Sequence, residues 1–270
     1  MKRLAFYLSV LVLFACNRHP YVSTNKQHKT QLKVLSKTIR QFPLQSIQND
    51  SVKSADYFVG TTNFGLRKPN FVIIHHTAQH SCQQTLKTFT LSRTQVSSHY
   101  VVCKDGTVHQ LLNDYLRAWH AGAGKWGNLS DINSSSIGIE LDNDGYQPFP
   151  GLQLNALLAL MDTLKKRYSI PESNFIGHAD IAPARKNDPN IYFPWQQIAE
   201  RGFGLWYSDT TGLVVPENFD HLLALRIVGY DTKDSLAAIV AFKRHFVRDT
   251  IPIFGNADRK ILYSLFPKYQ

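Results

Sequence analysis

Phe71-Val72-Ile73-Ile74-His75-His76-Thr77 decides the architecture. Four apolar residues in succession, rich in β-branched side chains and too few for a helix, suit a strand covered on both faces. Such strands lie inside sheets that carry helices on either side. The stretch then changes character and ends in two imidazoles. Adjacent side chains on a strand point to opposite faces, so only one of His75 and His76 can look into a cleft beyond it.

Other strands follow outward from this one. Ser98-His99-Tyr100-Val101-Val102 predicts a second, and Lys104-Asp105-Gly106-Thr107 a tight turn. Residues 108–112 then form a third strand, antiparallel to the second. Ser136-Ile137-Gly138-Ile139-Glu140 and Asn174-Phe175-Ile176-Gly177-His178 give two more. Leu154, Leu157, Leu158, Met161, Leu164 and Tyr168 recur at helical spacing, predicting a helix over residues 152–168. The expected fold is α/β, a mixed central sheet flanked by helices, occupying residues 57–207. A composition break around residues 208–216 precedes three short helical patterns at 218–228, 235–246 and 258–266, the first closed by Gly229. Residues 214–270 are therefore expected to form a small three-helix domain. Residues 17–56, rich in Lys, Gln, Asn, Ser and Thr, are expected to be a polar tether with a short helix around 31–40. The hydrophobic fraction of 43% is enough for a sizeable core.

Three of the strands end in residues fit for catalysis: His75-His76, Glu140 and His178. Sites in sheets of this kind form beyond the carboxyl ends of strands, so the three ends suggest one cleft. Asp188 follows His178 by ten positions across a Pro-containing loop that can fold back onto one ion. Two imidazoles and one carboxylate leave a fourth position open, the usual catalytic arrangement for zinc. Taken singly, these residues have plainer readings: a His beside a buried strand is more often structural, and Asp188 can simply start a turn before Pro189.

His75-His76-Thr77-Ala78, Val96-Ser97-Ser98-His99-Tyr100, Ala118-Trp119-His120-Ala121-Gly122, Ile137-Gly138-Ile139-Glu140 and the 178–188 loop come in a telling order. Over about residues 70–206 the chain resembles the type 2 N-acetylmuramoyl-L-alanine amidases, a family related to phage lysozyme-amidases and peptidoglycan recognition proteins. The resemblance implies one Zn2+ per chain, held by His75, His178 and Asp188. It implies Glu140 as the catalytic acid–base and Lys186 as the cation that steadies the oxyanion. The implied reaction is hydrolysis of the amide between N-acetylmuramic acid and L-alanine in peptidoglycan or muropeptides. His76 and Thr77 are then expected to touch substrate or brace the metal shell. His99, Trp119 and His120 are candidate substrate contacts, with a core position for Trp119 and a local hydrogen bond for His120 as the alternative. Residues 214–270 resemble the peptidoglycan-binding domain of such amidases through Gly229-Tyr230-Asp231 and Ala241-Phe242-Lys243-Arg244-His245-Phe246; a structural cap is the other reading. Two rivals remain: a wall-binding protein without hydrolysis, and a zinc peptidase acting within the stem peptide. Every ligand of the family pattern is present, which favours an active enzyme. No His-Glu-x-x-His segment occurs, which counts against the commonest zinc peptidases.

Lys2 and Arg3 precede an apolar run from Leu4 to Ala15, long enough for a signal-peptide core and too short to span a bilayer. Leu13-Phe14-Ala15-Cys16 resembles a bacterial lipoprotein signal, which implies cleavage before Cys16 and a lipid on its sulfur. An ordinary cleaved signal peptide is the alternative. By analogy with such lipoproteins, Asn17 after the Cys implies the outer membrane of a Gram-negative-type bacterium, facing the periplasm; a monomer is expected. The net charge of +10 and pI near 9.5 favour an anionic membrane surface or cell-wall polymer. No nucleic-acid motif accompanies the charge, so no nucleic acid is expected. Cys82 and Cys103 either pair in an oxidising compartment or stay as buried thiols.

Overall fold

The computed structural model describes residues 20–41 and 60–270, so Cys16 and the leader lie outside the described residues. The chain divides into two compact units, Met1–Phe64 and Gly65–Gln270. In the first, α1 (Val22–Thr38) has no buried residue. It begins well before the short helix expected inside the polar tether. The stretch has no Pro or Gly, and its Lys, Gln and Leu residues are good helix formers.

The second unit starts at Gly65, and the expected boundary at Tyr57 lies outside the described residues. Its elements run β1 (Phe71–His76), α2 (Cys82–Thr90), β2 (Tyr100–Val102), β3 (Val108–Gln110), α3 (Ile132–Ser135), β4 (Ser136–Leu141), α4 (Gly151–Tyr168), β5 (Phe175–Gly177), α5 (His178–Ile181), α6 (Trp195–Ala199), α7 (His221–Val228), α8 (Ser235–Phe246) and α9 (Asn256–Leu265). The sheet order is β3-β2-β4-β1-β5. β1 pairs in parallel with both β4 and β5, β2 pairs in parallel with β4, and only β3 is antiparallel, to β2. This is the mixed, helix-flanked sheet expected from the sequence. Cys82 and Cys103 form a disulfide that ties the start of α2 to the end of β2.

Alternation along the strands sorts two cores. Val72 and Ile74 of β1, with Ile137, Ile139 and Leu141 of β4, pack against Leu157, Met161 and Leu164 of α4. The helix presents these residues at the expected spacing and also buries Gln153, whose amide donates to the carbonyls of Val102 and Asp142. Ile73 and Ile176 face the other way, into a core shared with Trp126, Leu225, Phe242, Phe246 and Leu262.

The second core also takes in the C-terminal helices. α7, α8 and α9 form as the periodicity predicts, but their apolar faces cover the sheet rather than closing on one another alone. Gly229, which caps α7, has φ 133°, and a Cβ there would lie 2.4 Å from the Trp126 ring. Asp180 of α5 accepts hydrogen bonds from Gly177 N–H, from Tyr230 Oη at 2.7 Å and from His245 Nδ1 at 2.8 Å, fastening the C-terminal helices to the loop after β5.

The close fit of α4 predicts that Leu157→Ala, which empties a fully buried site, costs about 2–5 kcal/mol in urea denaturation. A loss below about 1 kcal/mol would mean that α4 does not seal that face.

Candidate metal centre

Parallel pairing of β1 with both neighbours brings the carboxyl ends of β1, β4 and β5 to one edge of the sheet. His75 follows Ile73 onto the face shared with the C-terminal helices, and His76 follows Ile74 onto the other. Glu140 stands in register opposite His75, so its side chain leaves β4 on the same face. His178 does not end β5 as expected but opens α5, because the Asp180 carboxylate accepts Gly177 N–H and turns the chain there. The loop beyond returns Asp188 to the same place, where its carbonyl accepts Ala179 N–H at 2.7 Å.

The structure brings together the three ligands expected from the resemblance. His75 Nδ1 and His178 Nδ1 are 2.9 Å apart, and Asp188 Oδ2 lies 3.1 Å from the first and 3.0 Å from the second. All three residues are buried. Zinc ligands at about 2.0–2.1 Å in a tetrahedron stand about 3.3 Å apart, so the observed triangle is a slightly contracted face of that figure. The donor chemistry fits as well. His178 Nε2 faces the Ala121 carbonyl at 3.1 Å, and a carbonyl can only accept. In the neutral ring the proton therefore sits on Nε2, and the bare Nδ1 points at a carboxylate oxygen. Two acceptors so close repel each other unless a cation lies between them.

Burial, helped by the neighbouring His178, pulls His75 down to about 4, which keeps the ring neutral and ready to ligate. Glu140 behaves oppositely. Burial first, then the Asp188 charge, pushes it up to about 8, with the Lys186 charge opposing the rise. Its Oε2 is buried and has no hydrogen-bond partner among the described residues.

The remaining candidates separate. His76 Nδ1 accepts Asn190 N–H at 3.1 Å, and Thr77 Oγ1 donates to the Asn143 carbonyl, so both brace the loops beside the ligands. His99 is fully buried, and its Nδ1 accepts Gly138 N–H while its Nε2 faces Arg67 and the Leu116 carbonyl. Those bonds make it part of the framework rather than a substrate contact. Trp119 is half exposed, which excludes a core position. His120 is buried, with Nδ1 3.1 Å from His75 Nε2 and Nε2 3.1 Å from Ser136 Oγ. It touches a ligand, not the surface. Sequence reasoning missed Ser136, Asn133 and the Ala121 carbonyl. None carries a spacing signal, since each acts through a neighbour remote along the chain.

A buried group of two imidazoles and a carboxylate that could hold a metal ion, with a carboxyl beside it, has the donor set of a metallohydrolase. Comparison with known proteins narrows that class. Residues 65–191 match the family described as N-acetylmuramoyl-L-alanine amidase. The chain is 36% identical over 232 residues to the N-acetylmuramoyl-L-alanine amidase AmiD of Escherichia coli, spanning 73% of this chain and 82% of that protein. Its structure aligns with that of AmiD from E. coli in complex with the substrate anhydro-N-acetylmuramic acid-L-Ala-D-γ-Glu-L-Lys, at TM-score 0.69 and 32% identity over 81% of this chain and 97% of that one. It also aligns with AmpDh3 from Pseudomonas aeruginosa in complex with anhydromuramic pentapeptide, at TM-score 0.67 and 28% identity over 81% and 99% of the two chains. This chain belongs to the N-acetylmuramoyl-L-alanine amidase family, which is zinc-dependent.

The raised Glu140 value sets a pH signature for the metal-free protein. Folded Glu140 keeps its proton up to about 8, whereas the unfolded group releases it near 4.5. Its contribution to stability therefore falls as pH rises between those values. Glu140→Gln cannot ionise, so chelated Glu140→Gln should gain on chelated wild type from pH 5 to pH 8 in urea denaturation. A gap that does not change with pH would show that the carboxyl is not held protonated.

Proposed function

We propose that this protein hydrolyses the amide between N-acetylmuramic acid and the L-alanine of the stem peptide, using one zinc ion held by His75, His178 and Asp188. The observation that carries this reading is the meeting of three donor atoms, from positions up to 113 residues apart, within 3.1 Å of one another. When bound, zinc polarises a carbonyl and lowers the pKa of water to roughly 7.

The chain's own residues supply the rest. Glu140 takes the proton of the attacking water and delivers it to the departing nitrogen. A carboxyl pushed up to about 8 suits both tasks, because an acid–base group works best with its pKa near the operating pH. Lys186 sits half-buried in the loop that carries Asp188 and offsets the negative charge that develops on the carbonyl oxygen. Trp119 offers an exposed aromatic face for sugar or peptide beside the strap that carries His120. The C-terminal helices, α7 to α9, bind wall polymer as they cover the sheet, and the net charge of +10 supports an anionic polymer as the partner.

The protein works as a monomer on the periplasmic side of an outer membrane, held by a lipid on Cys16. The basic pair, the apolar run and the Cys at its end support this anchor. Among the described residues no helix is long and apolar enough to cross a membrane.

Treating intact sacculi with the purified protein should release peptides that begin with L-alanine, as read by mass spectrometry. Chelation should abolish release, and zinc should restore it. Glu140→Gln should keep its zinc and lose at least two orders of magnitude in turnover. Products cut within the stem peptide, or full activity after complete metal removal, would overturn the reading. Cys16→Ser should abolish incorporation of labelled palmitate in cells; unchanged labelling would remove the anchor.

A further inference from the structure

A histidine that ligates through Nδ1 must carry its proton on Nε2, and the hydrogen bond made by Nε2 decides which tautomer forms. For His178 the Ala121 carbonyl makes that decision directly. For His75 the partner is another histidine, His120, which could donate or accept. We infer that Ser136 and His120 are positioning residues that fix the tautomer of His75 through a one-way run of hydrogen bonds ending on a main-chain carbonyl. The inference rests on the zinc reading above.

The direction follows from the far end. Ser136 Oγ lies 2.6 Å from the Ile132 carbonyl, which can only accept, so the hydroxyl proton is spent there. Toward His120 Nε2, 3.1 Å away, Ser136 Oγ must then accept. His120 Nε2 carries its ring's proton, and His120 Nδ1 is bare. Facing a bare Nδ1 at 3.1 Å, His75 Nε2 donates. His75 Nδ1 is left without a proton and faces His178 and Asp188. Reversing any link would set two protons or two lone pairs against each other in a buried site, where an unmade hydrogen bond costs about 1–3 kcal/mol.

Three other features serve the same run. Ser136 is fully buried and His120 nearly so. A Cβ at Gly138 would lie 2.4 Å from His120 Cγ, so only glycine leaves room for the ring. Asn133 Oδ1 accepts both His120 N–H and Ala121 N–H, at 3.1 and 2.9 Å. One clamp therefore holds the side chain that orients His75 and the carbonyl that orients His178.

Zinc affinity, measured by competition with a chromophoric chelator, tests this on the full mature protein. His120→Leu should weaken zinc binding about 10–100-fold, the usual effect of losing a partner to a ligating histidine. His120→Asn should recover most of the loss, because its Oδ1 occupies the place of Nδ1. His120→Gln should not recover it, although glutamine is closer to histidine in size, because its amide reaches the place of Nε2. In metal-free Ser136→Ala, nitrogen NMR should show a smaller Nε2–H fraction for His75 than in metal-free wild type. A purely structural role would rank Gln level with or above Asn and leave the His75 tautomer unchanged in Ser136→Ala; either result overturns the inference. Weak or absent zinc binding by the wild-type protein would instead overturn the zinc reading, and the tautomer measurement on metal-free protein would still decide the relay.

Discussion

Everything in the site depends on the parallel register of β1 with β4 and β5. Residue-for-residue pairing of His75 with Glu140, and of Ile74 with Gly177, sets His75, Glu140 and the turn into His178 at one sheet edge. Main-chain hydrogen bonds fix that alignment, and a slip of one residue would send Glu140 to the opposite face. The site thus inherits the precision of the sheet. The loops need only return Asp188 and the 118–121 strap to a position already defined.

Burial then acts on groups of different charge in different ways. The same low-dielectric surroundings keep His75 neutral and hold a proton on Glu140. A neutral imidazole and a protonated carboxyl can therefore stand side by side without competing for the same charge state.

Much of this was legible in the sequence. The apolar run ending in two imidazoles located β1, and the helical spacing of Leu157, Met161 and Leu164 located α4. Alternation along a strand told that only one of His75 and His76 could join the centre, while the order of motifs picked His75. What stayed hidden were roles carried by contacts rather than by residue type. Ser136 and Asn133 are ordinary polar residues until the fold puts them under His120. His99 carries the same ring as His120 but is spent on a framework amide, a difference that only packing creates. Periodicity likewise showed that α7, α8 and α9 have apolar faces, yet it could not say what those faces cover.

The bonds from Tyr230 and His245 to Asp180 give that covering a wider meaning. Asp180 is also the residue that turns the chain at Gly177 and so aims His178. Wall-degrading enzymes built from detachable pieces can exchange one targeting segment for another by gene fusion. Here the tail helps to shape the catalytic half, so evolution has less freedom to trade it. Any change in what these last helices meet must come from altering their outer faces in place.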